Sequence, residues 1–238
     1  MSADCCFSTL LSAAQRGWLA CDGDEALLSL ALPIEGIDPL LALPQLAEHE
    51  SLQVLWDSAP GLCLAAAGPC QELELAGSRR FEQAQRFADL CLSRLHDTAA
   101  DSPAHARPRV LLRFRFFDQV SERRRSEAVV PSVQAVLPRW QLSRQGRRGW
   151  LRLNGVVSSA ADCRELAEQL WLKHEQLLKT PTTPPPLKPQ ALVAATEPET
   201  WRQRYAAALT RGIDLVNSGD LHKLVLAVRH RIVLADTF

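Results

Sequence analysis

Between residues 109 and 116, Val110, Leu112, Phe114 and Phe116 alternate with Arg109, Arg113 and Arg115, the two-residue period of a strand with one wet face. The pattern predicts arginines in water and a buried phenylalanine face. Apolar runs at 26–34, 53–56 and 62–67 predict further strands, the first closed by Pro33 and Gly36, the other two joined into a hairpin by Ser58-Ala-Pro-Gly61. Trp56, beside that turn, is expected to pack inside. Residues 128–137, 140–143 and 150–153 extend an antiparallel meander around Gln145-Gly146. A three- and four-residue period takes over at 78–95, where Ser78 caps a helix buried through Phe81, Ala84, Ala88, Cys91 and Leu95. It returns at 159–179, from Ser159, through Cys163, Leu166, Leu170, Trp171, His174 and Leu177. Asp38-Pro39 opens a short helical segment, residues 1–20 form a helix or a loosely packed arm, and 97–108 is a loop. The expected fold class is α/β in the α+β sense, a mainly antiparallel sheet with packed helices.

Residues 180–189, Thr-Pro-Thr-Thr-Pro-Pro-Pro-Leu-Lys-Pro, cannot join a helix or a central strand and favour extended geometry. They divide the chain into an amino-terminal region 1–179, a connector 180–195 and a segment 196–238. In that last segment Thr196 and Glu199 have capping-box spacing, and Pro198 falls in the first turn. Trp201, Tyr205, Ala208, Leu209, Gly212, Ile213 and Val216 share one helix face, and Gly219 can end the helix in the left-handed conformation. Residues 222–228 then read as a largely buried strand, with Lys223, Val225 and Ala227 on one face and His222, Leu224, Leu226 and Val228 on the other. A lysine on such a strand has two readings. Its stem packs on the sheet while the ammonium reaches solvent, or it sits in a dry cleft that disfavours the charged form and makes the amine a usable general base.

Composition narrows the picture less than the pattern does. The 238 residues, 47% hydrophobic, suffice for a sizeable core, and 27 basic against 27 acidic residues give no overall pull toward nucleic acid or membrane. The charge is uneven: twelve arginines against four acids leave 101–155 at net +8, and the remainder at −8. The strand at 109–116 accounts for part of this excess as a solvated face. Stacking of nucleic-acid bases is set aside because the phenylalanines are expected on the opposite, buried face. Arg139 is expected in a structural salt bridge, and His174 as a core or boundary histidine. Seven cysteines, with no C-x-x-C pair, read as small buried hydrophobes in a reducing compartment, not as disulfides or a zinc site. No secretory signal and no run long enough for a bilayer are found, so a cytoplasmic protein is expected. Nothing in the pattern specifies an oligomeric state.

The spacing W-x3-Y-x3-L-x3-I-x5-G-x-L-x-K-L-V-L-A from Trp201 to Ala227 resembles the opening of the catalytic domain of chorismate-utilising enzymes. That family includes isochorismate synthase, salicylate synthase, anthranilate synthase component I and aminodeoxychorismate synthase component I. Upstream, Trp56, the Gly68 segment, Arg80-Phe81, Phe114-Arg-Phe-Phe117 and Leu137-Pro-Arg-Trp-Gln141 resemble the amino-terminal half of isochorismate synthases of the menaquinone and phylloquinone pathways. One departure is Val228, which stands where the family commonly has arginine. The resemblance implies Mg²⁺-dependent conversion of chorismate to isochorismate, with Lys223 as the general base that activates water. It also implies a glutamate acid and further glutamates on Mg²⁺, from motifs that do not occur before Phe238. The chain is therefore expected to be the amino-terminal portion of the chorismate-binding fold. Two alternatives stand beside this: another chorismate-utilising enzyme, or a non-catalytic remnant or interaction domain with an unpaired edge at 230–234.

Overall fold

Placement in the computed structural model is described for residues 7–21, 25–48, 50, 52–58, 61–116, 131–179, 192–195, 198–225 and 232–234. The chain divides into two compact units, Met1–Pro184 and Pro185–Phe238. The first runs α1 (Phe7–Leu19), β1 (Ala26–Glu35), α2 (Pro39–Leu46), β2 (Gln53–Ser58), β3 (Leu62–Leu75), α3 (Arg80–Arg94), β4 (Leu95–Asp97), β5 (Leu111–Phe114), β6 (Val133–Gln145), β7 (Arg148–Val157) and α4 (Ala160–Leu178). The second contains β8 (Leu192–Ala195), α5 (Pro198–Asn217) and β9 (Ile232–Leu234). The fold is mixed α/β with a mostly antiparallel sheet, as expected. Among the described residues, no helix is long and apolar enough to cross a membrane.

The sheet of the first unit has the order β2-β3-β6-β7-β1-β4, with β5 also paired to β6. All pairs are antiparallel except β1 with β4, which runs parallel over Leu27–Ser29 against Leu95–Asp97. β6 and β7 form a hairpin whose two-residue turn needs Gly146 at φ 62, a conformation that favours glycine. One face of the sheet is apolar because alternate residues point the same way. Leu28, Leu30, Leu32 and Ile34 of β1, Leu151, Leu153 and Val157 of β7, Trp140 and Leu142 of β6, and Ala65 and Ala67 of β3 line it. They pack against Leu10 and Ala14 of α1, Ala42 and Leu46 of α2, and Cys163, Leu166, Ala167, Leu170 and Leu177 of α4. Local signals set these helices: the Asp38 carboxylate accepts from Leu40 N at 2.9 Å, and Ser159 Oγ accepts from Asp162 N at 3.2 Å.

Several elements depart from the sequence pattern for identifiable reasons. Pro33 does not close β1 but lies inside it, where β4 has already ended and only β7 pairs with the strand, so its missing N–H costs no ladder bond. The two strands expected at 128–137 and 140–143 are one strand, β6, which passes through Pro138. Pro138 is tolerated because β5 pairing stops at Val136 and β7 pairing starts at Trp140, leaving that flank open. In α3 the buried positions are Arg80, Ala84 and Cys91, and Phe81 is 57% exposed. The helix starts at Arg80 without a side-chain cap from Ser78, and it turns Arg80 inward, where its Nη2 donates to Phe116 O at 3.0 Å. Trp56 is 62% exposed on edge strand β2, not packed. The phenylalanine face of β5 and the residues just after it is also open: Phe116 is 89% and Phe114 37% exposed, the latter with its ring tilted against Phe81 at a centroid separation of 4.8 Å. β5 pairs only with β6 among the described strands and lies at an edge, so alternation alone did not decide which face was covered. Bases could therefore reach these rings, contrary to the buried face on which stacking was set aside.

In the second unit β8 and β9 pair antiparallel as a two-stranded sheet, so Ile232–Leu234 is paired along one side and keeps its other edge, and Leu192–Ala195 is a strand at the end of the stretch assigned to the connector. The rest of the proline-rich run, 180–191, and the capping residue Thr196 lie outside the described residues.

Gly149 sits in β7 between β1 and β6, and a Cβ there would lie 2.9 Å from Ile34 O and 3.2 Å from Ser143 O. Both are backbone atoms of central strands and cannot swing aside. Gly149→Ala is expected to lower stability by about 1–3 kcal/mol, read by urea denaturation of the chain; a change under a few tenths would show that the strands separate more easily than this packing implies.

Candidate functional site

The lysine singled out by spacing follows α5. That helix stops where predicted: Gly219 has φ 81, Ser218 N donates to Asp214 O at 2.9 Å, and Leu221 N donates to Leu215 O at 3.0 Å. Beyond it the expected strand is not formed over 222–225, which run as irregular, exposed backbone; 226–228 lie outside the described residues. A strand needs a partner for its N–H and C=O groups, and among the described residues none pairs with this stretch. Leu224 instead folds back on α5, where a Cβ at Gly212 would overlap its Cδ2. Leu209, Gly212, Ile213, Val216, Leu224 and Val225 line a shallow apolar cavity of about 620 Å³. Of the predicted inward face of α5, among the residues whose burial is described, Gly212 is buried and Tyr205 half-buried, while Leu209 and Ile213 are 53% and 51% exposed. Lys223 is exposed beside this surface, and no ion pair to it forms among the described residues. Nor do they gather three or more His, Cys, Asp or Glu side chains into a group able to hold a metal ion, so they do not fit a Mg²⁺ site.

A second constellation, which spacing did not reveal, occupies the other face of the large sheet. Ser29, Gln141, Ser143, Arg152 and Asn154 are all buried there. Arg152, 0% exposed, donates through Nη1 to Asp97 Oδ1 at 2.6 Å and to Ser29 Oγ at 2.7 Å, and through Nε to Ala106 O at 3.0 Å. Ser29 Oγ donates to Asn154 Oδ1 at 2.5 Å, and Asn154 Nδ2 donates to Pro138 O at 2.7 Å. Gln141 Nε2 donates to Arg107 O at 2.8 Å and its Oε1 accepts from Arg109 N at 3.1 Å. The segment after β4 is thus laced onto the sheet centre, and its 3-10 turn Ala104–Ala106 covers what alternation in β7 reads as a wet face. Burial holds the Arg152 guanidinium below its ordinary range, against the opposing pull of Asp97. The signal available in the sequence was weak: a lone Ser29 in an apolar run, and Arg152 and Asn154 alternating with leucines.

The other singled-out side chains are structural. Arg139 Nη2 donates to Gln169 Oε1 at 2.8 Å, tying β6 to α4, and its Nε lies 4.0 Å from Glu50 Oε1, a loose salt bridge to the segment between α2 and β2. His174 is half-buried, with Nε2 3.3 Å from Pro33 O. Cys63, Cys91 and Cys163 are buried thiols. Burial pushes Cys70 up to about 11 and raises the other three as well, so they stay protonated and unreactive.

The model of the family described as chorismate binding enzyme matches residues 12–238, almost the whole chain. The chain belongs to the chorismate-binding enzyme family. No curated protein matches it. Among solved structures it is similar to MenF, the menaquinone-specific isochorismate synthase from Escherichia coli, with 17% identity and a TM-score of 0.46, over 86% of this chain and 42% of that one. The chain thus spans less than half the length of that protein.

In this member of the chorismate-binding enzyme family the Arg152–Asp97 pair makes two measurable demands. Asp97→Ala strands a buried guanidinium and is expected to cost about 3–5 kcal/mol, whereas replacing both partners by apolar residues, Asp97→Leu with Arg152→Met, is expected to cost less than that single change. Denaturant melts of the two variants decide it. His105, over the same face, has its imidazole held below the ordinary value of 6.5, first by burial and then by Arg109 and Arg148. The fold therefore resists a proton that the unfolded chain accepts. Stability should be full above pH about 6.5 and fall as pH drops below it, and His105→Gln should flatten that slope.

Proposed function

We propose that this chorismate-binding enzyme acts in the conversion of chorismate to isochorismate, with Lys223 as the general base. The observation that carries the reading is the family match over residues 12–238 together with the position of Lys223 in the Trp201–Ala227 pattern. Within the family, Leu137-Pro-Arg-Trp-Gln141 favours isochorismate synthase over the ammonia-using relatives. Water is a poor nucleophile at neutral pH. Lys223 Nζ, as the free amine, takes a proton from water as its oxygen bonds to one ring carbon; hydroxide departs from another and leaves as water after protonation by an acid. The proton count balances, and the net change is an isomerisation. A Mg²⁺ requirement and a cytoplasmic setting belong to the same proposal; the metal's carboxylate ligands are not in the described set, and no step is derived through it.

The exposure of Leu209, Ile213 and Val225 favours a second reading, a folded interaction module without catalysis. The experiment is a chorismate assay with products separated by chromatography, with and without ammonium. Isochorismate formation that Lys223→Ala lowers by roughly 10²–10⁴-fold, at unchanged circular dichroism, supports the base assignment, and full activity in that variant removes it. A nitrogen-containing product that requires ammonium moves the chain to the other branch of the family. No conversion by a folded chain, even when it is joined to the family's later acid- and metal-bearing motifs and supplied with Mg²⁺, favours the module.

A further inference from the structure

A cavity of about 480 Å³ opens in the first unit where α3 ends, and strand pairing explains its position. Leu27 of β1 pairs with Val156 of β7 on one side and with Leu95 of β4 on the other, so the last two turns of α3, just before β4, are brought against this stretch of the sheet. Cross-strand partners share a face, and Leu27 and Val156 point away from the side on which Leu28 and Val157 enter the core. They form an apolar floor. Phe87, Leu90, Cys91 and Arg94 recur at three- and four-residue steps, one stripe along α3, and form a wall. Glu25, from the connection between α1 and β1, also lines the cavity, and Gln71, where β3 resumes after its register slip, adds an amide.

Two properties mark the cavity as a binding site. The first is apolar surface left uncovered in a concave place: Leu90 is 51% and Val156 41% exposed, against 0% and 1% for Leu28 and Val157 on the opposite face. The volume falls within the range of roughly 300–1,000 Å³ usual for small-molecule sites, which combine apolar walls with a few polar groups. The second is charge. Arg94 and Glu25 are exposed at this cavity, and neither forms an ion pair among the described residues. The Arg94 charge reaches the wall itself: burial raises the Cys91 thiol, and Arg94 opposes that rise. A ligand with a net charge therefore meets one attracting and one repelling group. A neutral hydroxyl accepts from a guanidinium and donates to a carboxylate, and it brings no charge out of water. Phe87 adds a ring edge or face on which an aromatic body packs better than an alkyl one.

We propose that this cavity binds a small neutral phenol or aromatic alcohol, its ring against the floor of Leu27 and Val156 and the α3 wall, its hydroxyl at the rim that carries Arg94 and Glu25. The two charges select against charged molecules of the same shape. The site lies wholly within the first unit and is independent of the Lys223 reading.

Equilibrium dialysis of the full chain at pH 7 and low ionic strength tests it, with three probes that share one ring system and differ in the head group: 2-naphthol, 2-naphthoate and 2-naphthylmethylammonium. Saturable binding of 2-naphthol is expected, with both charged probes at least about 3-fold weaker. Glu25→Gln should strengthen 2-naphthoate, and Arg94→Gln the ammonium probe, each by about 3- to 10-fold, because one repelling charge is gone. Val156→Trp fills the floor and should weaken 2-naphthol by 10-fold or more, roughly the loss of a buried ring's apolar contact. Leu90→Trp obstructs the cavity from the helix wall and decides the matter if Val156→Trp does not fold. Absence of saturable binding, binding that neither tryptophan variant weakens, or a head-group ranking that neither charge variant alters overturns the site.

Discussion

One buried charge organises the first unit. Arg152 stands in the middle of β7, wholly out of solvent, and an unpaired guanidinium there would be prohibitively costly. Everything that answers it comes from far away in sequence: Asp97 at the end of β4, Ser29 in β1 and the carbonyl of Ala106. Those three partners explain why a three-residue strand runs parallel to β1 in an otherwise antiparallel sheet. β4 has little apolar surface to contribute, but its last residue delivers the carboxylate. Ser29 continues the chain of bonds to Asn154 and so to Pro138 O, which links the pair to the open flank of β6.

That flank coincides with segments that carry the family resemblance. Gly68 and Pro138 lie on neighbouring strands, where β3 pairs Pro69 with Pro138 and then slips register before Gln71. Gly68 takes φ 64, and a Cβ on it would overlap the Glu50 carboxylate. Glu50 in turn faces Arg139, and Trp140 packs into the main core with Lys173 above its ring. The Gly68 segment and Leu137-Pro-Arg-Trp-Gln141 are thus two sides of one irregular joint. Their residue types answer to backbone geometry and a local ion pair, which is reason enough for the motif without a ligand there.

Period and turn chemistry made much of the architecture legible: the β2–β3 hairpin, the Asp38 and Ser159 caps, the apolar face of α4, the β6–β7 turn at Gly146 and the Gly219 stop all follow from local rules. Failures came where a tertiary neighbour decides. Arg80 and Phe81 exchange roles because Phe116 O offers the arginine an acceptor and Phe114 offers the ring a partner, and neither is visible from α3 alone. The arginine network over β7 was hidden for a similar reason, since period two separates the faces of a strand but does not say that a loop will cover the polar one. Lys223 was found from motif spacing, yet the buried strand drawn around it needed neighbouring strands that its own sequence cannot announce.

The same distinction governs the proposed chemistry. The apolar pattern on α5 names the residues that want covering, and in the described structure Leu209, Ile213 and Val216 remain partly in water. Leu224 already turns back onto Gly212, which places the described part of the segment bearing Lys223 at the rim of an apolar hollow. An amine works as a general base only when the solvation that favours its ammonium form is reduced. On the proposed reaction, whatever surface covers Leu209 and Ile213 also removes water from the ground beside Lys223. Burial of the helix face and activation of the base are then two consequences of the same apolar contacts.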